Sequence, residues 1–222
     1  MSSGLGAFIV SEPRKYPVIL LLDTSGSMSE GGKIQALNVA VRDMLAGFLT
    51  GRGGDLVIHC CVIAFGNNRA EVHMPLQPVA DVVRQWRDVG AEGNTPLGAA
   101  LQLTVSLVED RDLIPARSWQ PTIILVSDGI PTDEWKDPLE KLIESDRASK
   151  ASRFAVAIGT DADEGMLERF KSEDGRVLHA ADAAGIEEWF KWVTMTTVDR
   201  IEMKSSGFTH SVERVDDIDV LF

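Results

Sequence analysis

Short apolar runs alternate with amphipathic stretches along most of this chain. Residues 18–22 are continuously apolar and end at Asp23, which predicts a short strand buried on both faces. From residue 33 to 48, Ile34, Leu37, Val41, Leu45 and Phe48 recur at helical spacing, and Gly51 with Gly53-Gly54 closes the segment. Residues 56–65 read as a second strand. Gly66-Asn67-Asn68 then makes a turn into a short strand over residues 70–74, which predicts an antiparallel hairpin. A second helix is expected to start near Thr95, its side chain capping and Pro96 in the first helical position, with Leu97, Leu101, Val105 and Val108 as its buried stripe. Residues 122–126 form another apolar strand, ending in Ser127-Asp128-Gly129. Further on, the pattern predicts a helix over 139–150, a strand over 154–158 and a short helix over 164–171. A weak strand over 177–180 and a helix over 183–197 complete it.

Strands alternating with helices predict an α/β fold: a doubly wound, mostly parallel sheet with one antiparallel edge strand and helices on both faces. The 222 residues then form one domain over 15–204, with tails at 1–14 and 205–222. The second tail interleaves Val212, Val215, Ile218, Val220, Leu221 and Phe222 with Glu213, Asp216, Asp217 and Asp219. It is expected either to dock or to fray.

Composition narrows the function classes. Lys and Arg number 22 against 34 Asp and Glu, a net charge of −12, which argues against a nonspecific nucleic-acid binder. It fits binding of cations or basic surfaces, although a solvated acidic surface is the commoner meaning of such a balance. No stretch approaches the roughly 18 apolar residues of a membrane helix. The first ten residues lack the basic and apolar regions of a secretory signal. The two cysteines, Cys60 and Cys61, are adjacent on a strand and point to opposite faces, so no disulfide joins them; reduced core cysteines without a leader predict a cytoplasmic setting.

In doubly wound sheets ligands gather beyond the carboxyl ends of the strands. There the first strand runs into Asp23-Thr24-Ser25-Gly26-Ser27, whose alternate positions bring one carboxylate and two hydroxyls to one side of a tight turn. Thr95 and Asp128 reach the same place from neighbouring elements. Asp23, Ser25, Ser27, Thr95 and Asp128 offer five hard oxygen donors, a set suited to Mg²⁺ or Mn²⁺. Only two carry formal charge, so a divalent ion there stays electron-poor and keeps a position for water or a partner's carboxylate.

These residues carry a resemblance. Residues 16–28, 93–101 and 124–133 resemble the three blocks of the von Willebrand factor type A (vWA) domain, whose metal-ion-dependent adhesion site reads Asp-x-Ser-x-Ser, then Thr, then Asp. The match falls on Asp23, Ser25, Ser27, Thr95 and Asp128. Gly93-Asn94-Thr95 stands where the family often has Gly-Gly-Thr, which keeps the ligand. The form with Tyr-Pro-Val-Ile-Leu-Leu-Leu-Asp near its start is similar to bacterial tellurium-resistance vWA proteins. That likeness implies a cytoplasmic stress-response complex with an associated kinase or phosphatase. It also implies a non-enzymatic module that takes a partner's Asp or Glu on the metal.

Enzyme readings fare worse. A phosphatase of the haloacid-dehalogenase type needs a second carboxylate two residues after its nucleophile, and that position is Ser25. No Gly-x-Ser-x-Gly elbow, dinucleotide fingerprint or P-loop is present. Asp133 and Trp135 are expected on the metal-bearing face, where the Trp either anchors a partner or packs over its own loop. His59 and His73 read as structural, His179 as a loop histidine or a neighbour of the metal face, and Trp189, Phe190 and Val193 as helix core.

Overall fold

A computed structural model describes residues 13–50 and 56–205. The tail segments 1–12 and 206–222, including the apolar and acidic stretch 212–222, lie outside the described residues, as do Gly51, Gly53 and Gly54. Six strands form one sheet: β1 (Arg14–Asp23), β2 (Leu56–Gly66), β3 (Arg69–Pro78), β4 (Thr122–Ser127), β5 (Ser152–Ile158) and β6 (Val177–Ala180). Their order is β3-β2-β1-β4-β5-β6. All pairings are parallel except β2 with β3. The α-helices among the described residues are α1 (Lys33–Thr50), α2 (Val79–Gln85), α3 (Leu97–Glu109), α4 (Lys136–Glu144), α5 (Glu164–Phe170) and α6 (Ala183–Ser205). Among the described residues no helix is long and apolar enough to cross a membrane.

The continuous apolar runs are explained by burial on both faces. Val18, Leu20 and Leu22 of β1 pack with α1, α2 and α6, whereas Ile19 and Leu21 pack with α3, α4 and α5. Cys60 and Cys61 divide the same way and are free thiols, both pushed well above the usual range by burial. The hairpin turns on Asn67 and Asn68, at φ 47° and 60°, a left-handed pair that Asn tolerates and the strand twist favours.

Several elements depart from expectation: β1 begins already at Arg14, and α6 runs past residue 197 to Ser205. β3 runs past Met74 to Pro78, because Gln77 and Pro78 still find partners in Cys60 and His59. Helix α2, absent from the expected pattern, is held by buried Val79 and Val82. The helix expected over 139–150 stops at Glu144 and resumes only as a 3-10 turn, Ala148–Lys150. The Glu109 carboxylate accepts from the Arg147 and Ala148 amides at 2.9 and 3.1 Å, drawing the chain out of the helix there.

At the end of the sheet away from Asp23, Asp174 accepts from Ser152 and Ser172 at 2.7 and 2.5 Å and pairs with Arg200 of α6 at 3.0 Å. Burial alone would raise this carboxyl; the hydrogen bonds and the guanidinium outweigh it and hold it below the usual range. A lowered folded-state value means stability present above the unfolded-state pKa and lost as pH falls through the folded one. Urea unfolding should therefore find Asp174→Asn less stable than wild type at pH 7. The gap should close in acid, and a gap independent of pH would count against this account.

Candidate metal centre

The chain runs outward from β1 through β2 to β3, then returns to β4 on the other side of β1. That reversal opens a crevice at the carboxyl ends of β1 and β4. Leu22 pairs with Val126, so Asp23 at the end of β1 stands beside Ser127, and Asp128 follows one residue later.

Asp23 is fully buried. Its Oδ1 accepts from the Ser25 amide at 2.9 Å and its Oδ2 from the Ser127 hydroxyl at 2.6 Å. The first of these bonds tightens the turn that throws Ser25 and Ser27 forward. Burial pushes the Asp23 carboxyl up against those hydrogen bonds, and the charge of Asp128 adds to the rise. Ser25 Oγ and Ser27 Oγ are 3.1 Å apart, and Ser27 Oγ donates to Asp128 Oδ1 at 2.7 Å. The remaining oxygen of Asp128 accepts from the Lys33 ammonium at 2.8 Å. Four of the five expected ligands thus form one hydrogen-bonded chain.

Thr95 joins them through the backbone. Gly26 N donates to Gly93 O at 2.9 Å and Glu92 N to Thr24 O at 2.8 Å, lacing the Thr95 loop to the loop after β1. The amide of Thr95 donates to Thr132 Oγ1 at 3.1 Å, in the loop beyond Asp128. A Cβ on Gly129 would lie 3.7 Å from Thr95 Oγ1, which sets that hydroxyl against the Asp128 loop.

The expectation that Thr95 caps the helix, with Pro96 as its first residue, is corrected. Helix α3 starts at Leu97 and no side chain at Pro96 caps it. Asp133 does so from 35 residues away, accepting from the Gly98 and Ala99 amides at 2.8 and 2.9 Å. A full negative charge at a helix N-terminus is a stronger acceptor than a hydroxyl. Gly98 permits the approach, since a Cβ there would collide with the Glu134 carbonyl oxygen. The Thr95 hydroxyl takes no part in capping α3.

The other candidates resolve as packing groups. Trp135 packs on the face built by α3, α4 and α5, with the Arg169 guanidinium 5.8 Å from its ring centre, so it covers its own loop. His59 meets the Val57 carbonyl at 3.2 Å and burial lowers its pKa; His73 meets the Arg87 carbonyl at 2.7 Å. His179 stands on the surface, 3.7 Å from Glu164. Trp189 donates to the His179 carbonyl at 2.7 Å, and Phe190 and Val193 lie in the core. The sequence pattern did not single out Ser127 or Lys33, and it placed Asp133 on the metal-bearing face without its role as the cap of α3. Ser127 had a signal, its place beside Asp128 at a strand end, whereas the roles of Asp133 and Lys33 arise only from long-range contacts. Among the described residues no group of three or more His, Cys, Asp or Glu converges. The five-residue cluster is therefore the candidate centre, built mostly of hydroxyls.

Known proteins supply an independent view. The sequence model of the von Willebrand factor type A domain matches residues 18–130. No curated protein matches the chain. Among solved structures, proximal thread matrix protein 1 from the mussel byssus superposes with a TM-score of 0.67 at 18% identity, over 83% of this chain and 48% of that one. The same mussel protein with a zinc-occupied MIDAS motif gives 0.65 at 18%, over 86% and 47%. A von Willebrand factor type A protein from Catenulispora acidiphila gives 0.67 at 19%, over 83% and 43%. The chain spans about half the length of these structures, and at such identities they speak for the fold. With the family's sequence model covering more than half of its residues and the same sheet recurring in those structures, this chain belongs to the von Willebrand factor type A domain family.

Proposed function

We propose that residues 15–204 form a non-enzymatic, metal-dependent protein-interaction module. Ser25, Ser27, Thr95 and Asp128 would hold one Mg²⁺ or Mn²⁺, with Asp23 behind them. The observation that carries this reading is the chain Asp23–Ser25–Ser27–Asp128 at the crevice, joined by contacts of 2.7–3.1 Å with the Thr95 loop laced against it. Its donors are all oxygen, the chemistry of a hard cation. Asp23 already has a donor on each oxygen and serves chiefly to fix Ser25 and Ser127. Burial disfavours its charge, and a cation at the crevice offsets that penalty.

Bound there, the ion would supply an electron-poor coordination position for an Asp or Glu of a protein partner. Support comes from the mussel protein, whose MIDAS motif takes zinc. The similarity of residues 16–23 to tellurium-resistance proteins extends the proposal to a cytoplasmic stress-response complex with a kinase or phosphatase. Ser25 makes its contact with Ser27 where a phosphatase would need a general acid, so the haloacid-dehalogenase alternative gains nothing from the geometry.

The test is calorimetric titration with Mg²⁺ and Mn²⁺, followed by pull-down in Mg²⁺ and in chelator, with phosphate release assayed alongside. One binding site, partner capture lost in chelator and no phosphate release are expected. Equal capture after the metal is stripped, or metal-dependent turnover of phosphate esters, would overturn the reading.

A further inference from the structure

Lys33 has no place in the donor set, yet it makes the closest charged contact to it. Its Nζ donates to Asp128 Oδ2 at 2.8 Å, from a side chain 22% exposed onto a carboxylate side chain with no exposure. Three features make this contact unusual. Lys33 opens α1, whose first turn carries no acidic residue, so its charge sits at the end of the helix where a cation is disfavoured. The chain reaches it through Gly31 and Gly32 at φ 58° and 77°, a left-handed pair with nothing within 4 Å of a Cβ at either. Backbone conformation, rather than space, requires glycine there and directs Lys33 over the crevice. Finally, Asp128 is buried beside the carboxylate of Asp23, where a lone negative charge is costly, and Lys33 is the cation that offsets it.

We propose that Lys33 is a resident cation that competes with the divalent ion for Asp128 and thereby sets the metal affinity of the centre. The inference rests on the metal reading above. An ammonium on Asp128 and a divalent ion in the same crevice repel each other, so Lys33 must give up Asp128 when metal binds. Its flexible four-carbon stem and partial exposure provide the route to solvent. Asp128 is thus never left buried and unpaired: Lys33 neutralises it without metal and withdraws when metal arrives.

The experiment titrates Mn²⁺ and Mg²⁺ into the full chain by calorimetry for wild type, Lys33→Met and Lys33→Arg. Lys33→Met should bind about tenfold more tightly, the size of a typical coupling between competing events. Lys33→Arg, which keeps a cation on Asp128, should stay near or below wild type. Wild-type protein supplies a readout that needs no variant: saturating Mg²⁺ should raise the rate at which Lys33 is acetylated by a small reagent, followed by mass spectrometry. Lys33→Met with unchanged or weaker affinity, or a labelling rate indifferent to Mg²⁺, overturns the proposal while the metal reading stands. Absence of binding in all three proteins overturns both.

Discussion

Replacing Asp128 with alanine should abolish the stabilisation that Mg²⁺ confers on the folded chain. A ligand that binds only the folded state at a hundred times its Kd adds about 2.7 kcal/mol. For a domain of this size that corresponds to roughly 5–10 °C in Tm. Wild type should show that rise when Mg²⁺ is added, and Asp128→Ala should show none, because the variant removes the carboxylate that joins Ser27 to the crevice. Asp23→Asn should show a smaller rise than wild type: the residue behind the donors loses its charge and keeps its shape. Differential scanning calorimetry with and without Mg²⁺ makes the comparison. An Asp128→Ala protein that still gained several degrees would place the ion elsewhere.

The second large effect is expected at Asp133. Its carboxylate takes two amides of the first turn of α3, which has no acidic residue of its own there. Hydrogen bonds to a charged group contribute about 1.5–3 kcal/mol each, so Asp133→Ala should destabilise the metal-free protein by roughly 3 kcal/mol in urea unfolding. Asp133→Asn should lose less, since one amide keeps an acceptor. Thr95 lies two residues before α3, so Asp133→Ala should also weaken metal binding although Asp133 is no ligand. A change in unfolding free energy below about 0.5 kcal/mol, the scatter of ordinary surface substitutions, would show that the clamp is dispensable.

What the sequence by itself determined are the features set by short-range periodicity and backbone preference. The apolar runs ending at Asp23 and Ser127 became buried parallel strands, since only a strand covered on both faces tolerates such a run. Asn67-Asn68 became the hairpin turn because Asn accepts a left-handed backbone. The Asp-x-Ser-x-Ser spacing placed Ser25 and Ser27 side by side, a consequence of the tight turn itself. Tertiary structure decided the rest. The helix after Trp135 stops at Glu144 because Glu109, far away in the chain, takes the Arg147 and Ala148 amides. Thr95 is released from capping because Asp133 caps in its stead. Of the five candidate ligands, only Ser27 is exposed; Asp23, Ser25, Thr95 and Asp128 are buried in the crevice. Lys33 reads in sequence as the first residue of a helix and lies in space on Asp128. Local pattern constrains only neighbours a few residues apart, whereas a buried charge takes whichever partner the folded chain brings within reach.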